Sequence, residues 1–177
     1  MSRIGRKAIN IPMGVEITES SGLVEVKGPK GVLKVKTFKG ITFKQEEKKI
    51  IVESKNKNSR NFYGTFRSLL NSAVVGVSKG FSYILEADGP GYRVSTSGKK
   101  LVIKAGFSHD VNLEIPEFVE VEVTKGEIKV SGINKQDVGG FCDQIMKVRP
   151  VEPYKLQGIK RKDVIYIKKK RRVVEAA

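Results

Sequence analysis

The sequence is poor in the residues from which catalytic and metal sites are usually built. It has one cysteine, Cys142, and one histidine, His109. A single cysteine forms no internal disulfide, and one His with one Cys falls short of the usual zinc ligand sets of these two types. Any of the common His-based catalytic arrangements would have to pass through His109. No apolar run approaches the roughly 20 residues of a membrane-spanning helix. The opening stretch, Met1-Ser-Arg-Ile-Gly-Arg-Lys-Ala-Ile-Asn10, carries charge without the apolar centre of a secretion signal. These scarcities point away from an enzyme, a spanning protein or a secreted one, and towards a basic intracellular binding protein.

Positive charge is what the chain has in excess. Its 177 residues hold 34 Lys and Arg against 19 Asp and Glu, a net charge of +15. The length suits one ordinary domain or two small ones. With 39% hydrophobic residues there is enough apolar material for a core. The excess is localised: residues 1–82 are net +10, residues 83–153 are net −2 and residues 154–177 are net +7. Charge segregated in this way is the footprint of an anionic polymer or surface as partner.

Read along its length, the chain shows short strands followed by a helix, twice. Alternation begins at Val15-Glu-Ile17 and continues in Leu23-Val-Glu-Val-Lys27, Val32-Leu-Lys-Val35, Ile41-Thr-Phe43 and Ile50-Ile-Val52, with Gly28-Pro-Lys-Gly31 as a turn. The period then changes. Phe62, Phe66, Leu69, Leu70, Ala73, Val74 and Val77 fall on one helix face, with Asn58 or Ser59 as cap and Gly80 as stop. The second round runs through Tyr83–Ala87, Tyr92–Val94, Leu101–Ile103, Val111–Leu113 and Val119–Val123. A Lys125-Gly126 turn leads into Ile128–Val130. A second helix starts near Asn134, with Val138, Phe141, Cys142 and Ile145 on one face and Pro150 as stop.

Two internal offsets align the halves. An offset of 104 gives the more identities but pairs early strands with late ones. An offset of 78 aligns Leu23 with Leu101, Val24 with Val102, Ile50 with Ile128 and Val52 with Val130, and preserves element order. A repeat is a supersecondary unit, so order outweighs identity count. The expected fold class is α+β: two tandem copies of a small, mostly antiparallel sheet with one packed helix, plus a basic C-terminal extension. The expected boundaries are 1–81, 82–153 and 154–177.

Few residues here suggest chemistry. Ser108, His109 and Asp110 spell a triad in text, but chain neighbours do not generally face one another as a triad requires. A hydrogen-bonded loop histidine is the simpler expectation. Cys142 reads as a small hydrophobe on a helix face. Gly89-Pro-Gly91 lacks the further glycines and the lysine of a phosphate loop. Glu114, Glu117, Glu120 and Glu122 are the polar positions of strands. No metal ligand set and no cofactor motif emerges.

The basic segments carry more. Lys160-Arg161-Lys162 and Lys168-Lys169-Lys170-Arg171-Arg172 place eight cations within 13 residues, with Val164-Ile-Tyr-Ile167 between them. Cations at this density gain by displacing counterions from phosphates, and their binding weakens with salt. Unneutralised, the run is expected to repel itself, stay extended and order on binding. A membrane-surface role fits less well, since the segment lacks a sustained amphipathic helix.

The motifs converge on one family. Ser2-Arg-Ile-Gly-Arg-Lys7, Ile11-Pro-x-Gly-Val15, Val26-Lys-Gly-Pro-Lys-Gly31, Gly64-x-x-Arg67 and Val75-Gly-Val-Ser-Lys-Gly-Phe81 occur in order. So do Gly89-x-Gly-Tyr-Arg93, Gly106-Phe-Ser-His109, Val130-Ser-Gly-x-x-Lys-Gln136, Pro150-x-Glu-Pro-Tyr-Lys155 and Gly158-Ile159. Over nearly its whole length the chain resembles the family of the sixth protein of the large ribosomal subunit, bacterial or organellar type. The resemblance departs from the family pattern at Leu156-Gln157, at Lys160-Arg-Lys-Asp163 and at Tyr63-Gly64, where the family has His-Gly.

This resemblance implies a structural ribosomal protein without catalytic activity or cofactor, held on a bacterial or organellar ribosome. Its implied partners are large-subunit rRNA and neighbouring large-subunit proteins, with translation factors close by and no membrane. The implied RNA contact lies near the sarcin–ricin loop and the translation-factor site, mainly through the second unit and the extension. The family positions carry over to Tyr92, Arg93, Arg149, Tyr154 and Lys155, followed by the basic cluster Lys160, Arg161, Lys162, Lys168, Lys169, Lys170, Arg171 and Arg172. The competing reading is a free-standing RNA chaperone or regulator without a fixed ribosomal site; an enzyme working through His109 comes third.

Overall fold

The computed structural model describes residues 3–20, 22–46, 49–54, 60–124 and 126–170. The chain divides into two compact units, Met1–Phe81 with Ile133–Lys135, and Ser82–Gly132 with Gln136–Ala177.

The first unit contains β1 (Ile9–Asn10), β2 (Glu16–Ser20), β3 (Leu23–Gly28), β4 (Gly31–Lys36), β5 (Ile41–Glu46), β6 (Lys49–Ser54) and α1 (Arg60–Ser78). They make two antiparallel sheets, ordered β2-β3-β4 and β1-β6-β5. Alternation dictates which side chains go inward. Val24 and Val26 on β3 and Ile50 and Val52 on β6 are almost fully buried, while the intervening positions are not. Gly28 faces Gly31 across the turn that the sequence marks. Helix α1 lays Phe66, Leu70, Ala73, Val74 and Val77 into this core. Phe62, expected on the same face, is 50% exposed and stacks on Phe38 at 5.0 Å instead. Gly80 closes the helix by donating to the Gly76 carbonyl at 2.9 Å. The proposed caps Asn58 and Ser59 lie outside the described residues, as does Lys125 of the second-unit turn.

The second unit contains β7 (Phe81–Asp88, which begins on the last residue of the first unit), β8 (Arg93–Ser97), β9 (Lys100–Lys104), β10 (Val111–Glu114), β11 (Val119–Thr124) and β12 (Glu127–Gly132). Helix α2 (Lys135–Val148) and strand β13 (Gly158–Arg161) follow. The sheets are ordered β8-β9-β10 and β11-β12-β7-β13. Val138, Phe141, Cys142 and Ile145 are the buried face of α2, as their spacing predicts. They meet Leu85, Leu101, Ile103, Ile128, Val130 and Ile159.

The two units repeat one plan, and the 78-residue offset carries β5 and β6 directly onto β11 and β12. The offset fails at β3. There it pairs exposed Leu23 with buried Leu101, whereas the buried pair Val24 and Val26 corresponds to Leu101 and Ile103, one residue out of step. A one-residue slip turns a strand's side chains to the opposite face, so the Leu23/Leu101 and Val24/Val102 identities are coincidental.

Strand β13 is the largest departure from the sequence reading. Residues 158–161 lie in the basic extension, whose run from Lys160 onwards is expected to repel itself and stay extended. They form instead an antiparallel partner of β7, with Gly158 opposite Asp88 and Arg161 opposite Leu85. The repulsion is absent because carboxylates face these cations: Lys160 pairs with Asp88 at 2.8 Å, Lys162 with Glu127 at 2.7 Å, and Arg161 with Asp163 at 3.1 Å.

Candidate nucleic-acid interface

The register of β13 against β7 assembles the site. Beyond Asp88 the chain turns through Gly89-Pro90-Gly91, and the Tyr92 amide donates to the Gly89 carbonyl at 3.3 Å. Beyond α2, the Arg149 carbonyl accepts a bond from the Ile159 amide at 2.9 Å. Strand β13 is thereby tied on one side to the end of β7 and on the other to Arg149. Arg149 Nε donates to the Tyr92 hydroxyl at 3.2 Å. Its guanidinium carbon stands 5.4 Å from the centre of the Phe107 ring, within cation–π range. Two of the candidate residues, Tyr92 and Arg149, are therefore in direct contact although 57 positions apart.

Gly89 explains why the tyrosine can lie there. A Cβ at this position would come within 2.7 Å of the Tyr92 ring. Only glycine leaves the turn bare enough for the ring to cover it. The other side of the site is the loop 105–110. Lys104 and Asp110 pair across its base at 3.2 Å. Phe107 and His109 stack at 6.0 Å between centroids, with planes 25° apart. Asp110 is thus engaged with Lys104. Among the described residues His109 makes no hydrogen bond, so the expectation of a hydrogen-bonded loop histidine gives way to a stacked one.

The other candidates are distributed along the rest of the unit. Arg93 is exposed at the start of β8, opposite Lys104. Tyr154 and Lys155 are exposed within a turn closed by two bonds, from the Glu152 amide to the Gln157 carbonyl and from the Leu156 amide to the Glu152 carbonyl, each 2.8 Å. Lys160, Arg161 and Lys162 are occupied within the unit. The hydrogen bond to Asp88 raises the Lys160 pKa, and that to Glu127 raises the Lys162 pKa. Arg161 lies 4.2 Å over the Tyr83 ring as well as on Asp163. Lys168, Lys169 and Lys170 are exposed, and the Lys169 amide donates to the Pro153 carbonyl at 2.9 Å, next to Tyr154. Among the described residues Lys155 and Lys168–Lys170 make no ion pair. Arg171 and Arg172 lie outside the described residues.

Cys142 is buried on α2, and burial pushes its thiol up to about 11, so it is a neutral core group at physiological pH. Among the described residues no three or more His, Cys, Asp or Glu cluster as metal ligands. None of their helices is long and apolar enough to cross a membrane.

The pattern of two matched stretches settles the family. A family model described as ribosomal protein L6 matches residues 11–80 and 89–162. The chain belongs to the ribosomal protein L6 family. The first match lies in the first unit, and the second includes Tyr92, Arg149 and the whole of β13. Similar proteins include the large ribosomal subunit protein uL6 of Clostridioides difficile, 47% identical over 173 residues and covering 96% of each chain. The uL6 of Staphylococcus epidermidis is 44% identical, and that of Maridesulfovibrio salexigens 43%, each over 163 residues spanning 90% of this chain and 92% of the relative. Membership in the L6 family makes this a structural ribosomal protein and not an enzyme.

Proposed function

We propose that the chain is a structural constituent of the large subunit of a bacterial ribosome and holds large-subunit rRNA near the sarcin–ricin loop and the translation-factor site. The observation that carries this reading is the contact of Arg149 with both Tyr92 and Phe107. It presents a guanidinium held on an aromatic surface, and among the described residues Lys155 and Lys168–Lys170 of the same unit make no ion pair. Arginine held this way suits a phosphate or a base edge, while the lysines of the extension act as adaptable point charges. The folded unit selects the RNA shape, and Lys155 and Lys168–Lys170 add salt-sensitive affinity. Neighbouring large-subunit proteins complete its surroundings, with translation factors close by.

Hydroxyl-radical footprinting of large-subunit rRNA with the full chain tests this. Protection is expected around the sarcin–ricin loop and is expected to fade with Arg149→Gln. Protection elsewhere, or none, overturns the placement.

A further inference from the structure

The loop 105–110 displays two aromatic rings outward without burying either. Phe107 is 42% exposed and His109 is exposed, yet the two are stacked. A single exposed apolar side chain needs no explanation. This pair differs because it is held in place from several directions. The Lys104–Asp110 pair fixes the base of the loop. Gly106, with φ of +76°, brings the backbone against the Tyr92 ring, where an added Cβ would stand 3.7 Å from the ring edge. Arg149, itself bonded to Tyr92, reaches over Phe107. The result is a step of two flat rings with a cation 5.4 Å from the centre of one of them, on a protein of net charge +15.

We infer that Phe107 and His109 form a stacking step for an unpaired base of RNA, with the Arg149 guanidinium beside it to take the adjoining phosphate. Bases offer a flat π-face to an exposed ring, and sequence-specific RNA recognition works largely on unstacked bases of loops and bulges. A fully paired helix offers no such face along its length, so the step distinguishes single-stranded elements from duplex. This rests on the RNA-binding reading above and adds to it the class of ligand, an unpaired nucleotide, and the two residues that receive it.

The test uses the full chain and three probes: a single-stranded ten-residue oligoriboadenylate with a central 2-aminopurine, a perfect duplex of the same length, and a large-subunit rRNA fragment. Binding is compared for wild type, Phe107→Leu, Phe107→Tyr, His109→Leu and His109→Phe. Phe107→Leu and His109→Leu are expected to weaken single-strand binding by about 5- to 150-fold and to relieve the quenching of 2-aminopurine. Phe107→Tyr and His109→Phe, which keep a flat ring, are expected to preserve both. Duplex binding is expected to be unchanged throughout. Unchanged melting temperatures establish that the variants are folded. Equal single-strand affinity and quenching for wild type and the leucine variants overturns the stacking step. Loss of preference for the rRNA fragment by the wild type, with the single-strand pattern intact, overturns the ribosomal placement instead and leaves the step standing.

Discussion

Arg149 and Tyr92 lie 57 positions apart in the second unit and share a hydrogen bond of 3.2 Å. The bond exists because β13 pairs with β7 and at the same time donates from its Ile159 amide to the Arg149 carbonyl. RNA affinity should therefore depend on the Tyr92 hydroxyl through the arginine it holds. Tyr92→Phe is expected to lower rRNA affinity several-fold while costing no more than about 1.5 kcal/mol of stability. Arg149→Lys keeps the charge but loses the planar fork, and is expected to weaken binding at least as much. Filter binding and urea denaturation check both.

Removing the extension from Pro153 onwards should do more than remove charge. It takes away β13, including Ile159, which is 1% exposed in the core. Ile159→Ala alone is expected to destabilise the second unit by about 2–5 kcal/mol. An Ile159→Ala protein that melts like wild type would contradict the place of β13 in the sheet.

Gly158 should tolerate no side chain. Its φ is +142°, and a Cβ would lie 2.7 Å from the Pro150 carbonyl oxygen, a backbone atom without freedom to swing aside. Gly158→Ala is expected to cost about 1–3 kcal/mol, measured by chemical denaturation, and to loosen Arg149 with it.

Stability should fall on the alkaline side. The Cys142 thiol is pushed up to about 11 by burial, from an ordinary value of 9.0. The unfolded chain therefore ionises first, and stability is lost as pH rises from about 9 to about 11. Lys160 and Lys162, raised by their carboxylate partners, act in the same direction: their contribution is present below the ordinary lysine value of 10.5 and is lost as pH climbs through their raised values. Thermal melts from pH 7 to 11 should show this decline. At pH 8 a maleimide should leave native Cys142 unlabelled and react once the protein is unfolded.

Much of this was legible in the sequence. Period-two and helical spacing located most strands and both helices, because the buried faces at Val24, Ile50, Phe66 and Phe141 follow those periods, with Phe62 the exposed exception. The contact of Tyr92 with Arg149 was not legible, since periodicity says nothing about which distant elements pair. Strand β13 was hidden because Lys160-Arg161-Lys162 reads as a charge run, and its carboxylate partners Asp88 and Glu127 are far away in sequence. Strand β1, two residues long, is too short to show alternation. Phe107 appeared only as part of a motif, and His109 was weighed only as a catalytic or hydrogen-bonded residue. The one available signal was an aromatic beside the only histidine in a glycine-led loop, and their stacking is a property of the folded loop.

The most direct test is a salt series with the full chain against a large-subunit rRNA fragment and an unrelated structured RNA, alongside the variant K155Q/K168Q/K169Q/K170Q. This variant removes four exposed cations and leaves β13 intact. The wild type is predicted to prefer the rRNA fragment at high salt, and the variant to bind more weakly with a salt slope shallower by about 3. Equal binding of both RNAs, with all affinity vanishing as salt rises, would contradict a fixed rRNA site and leave the protein a simple polycation.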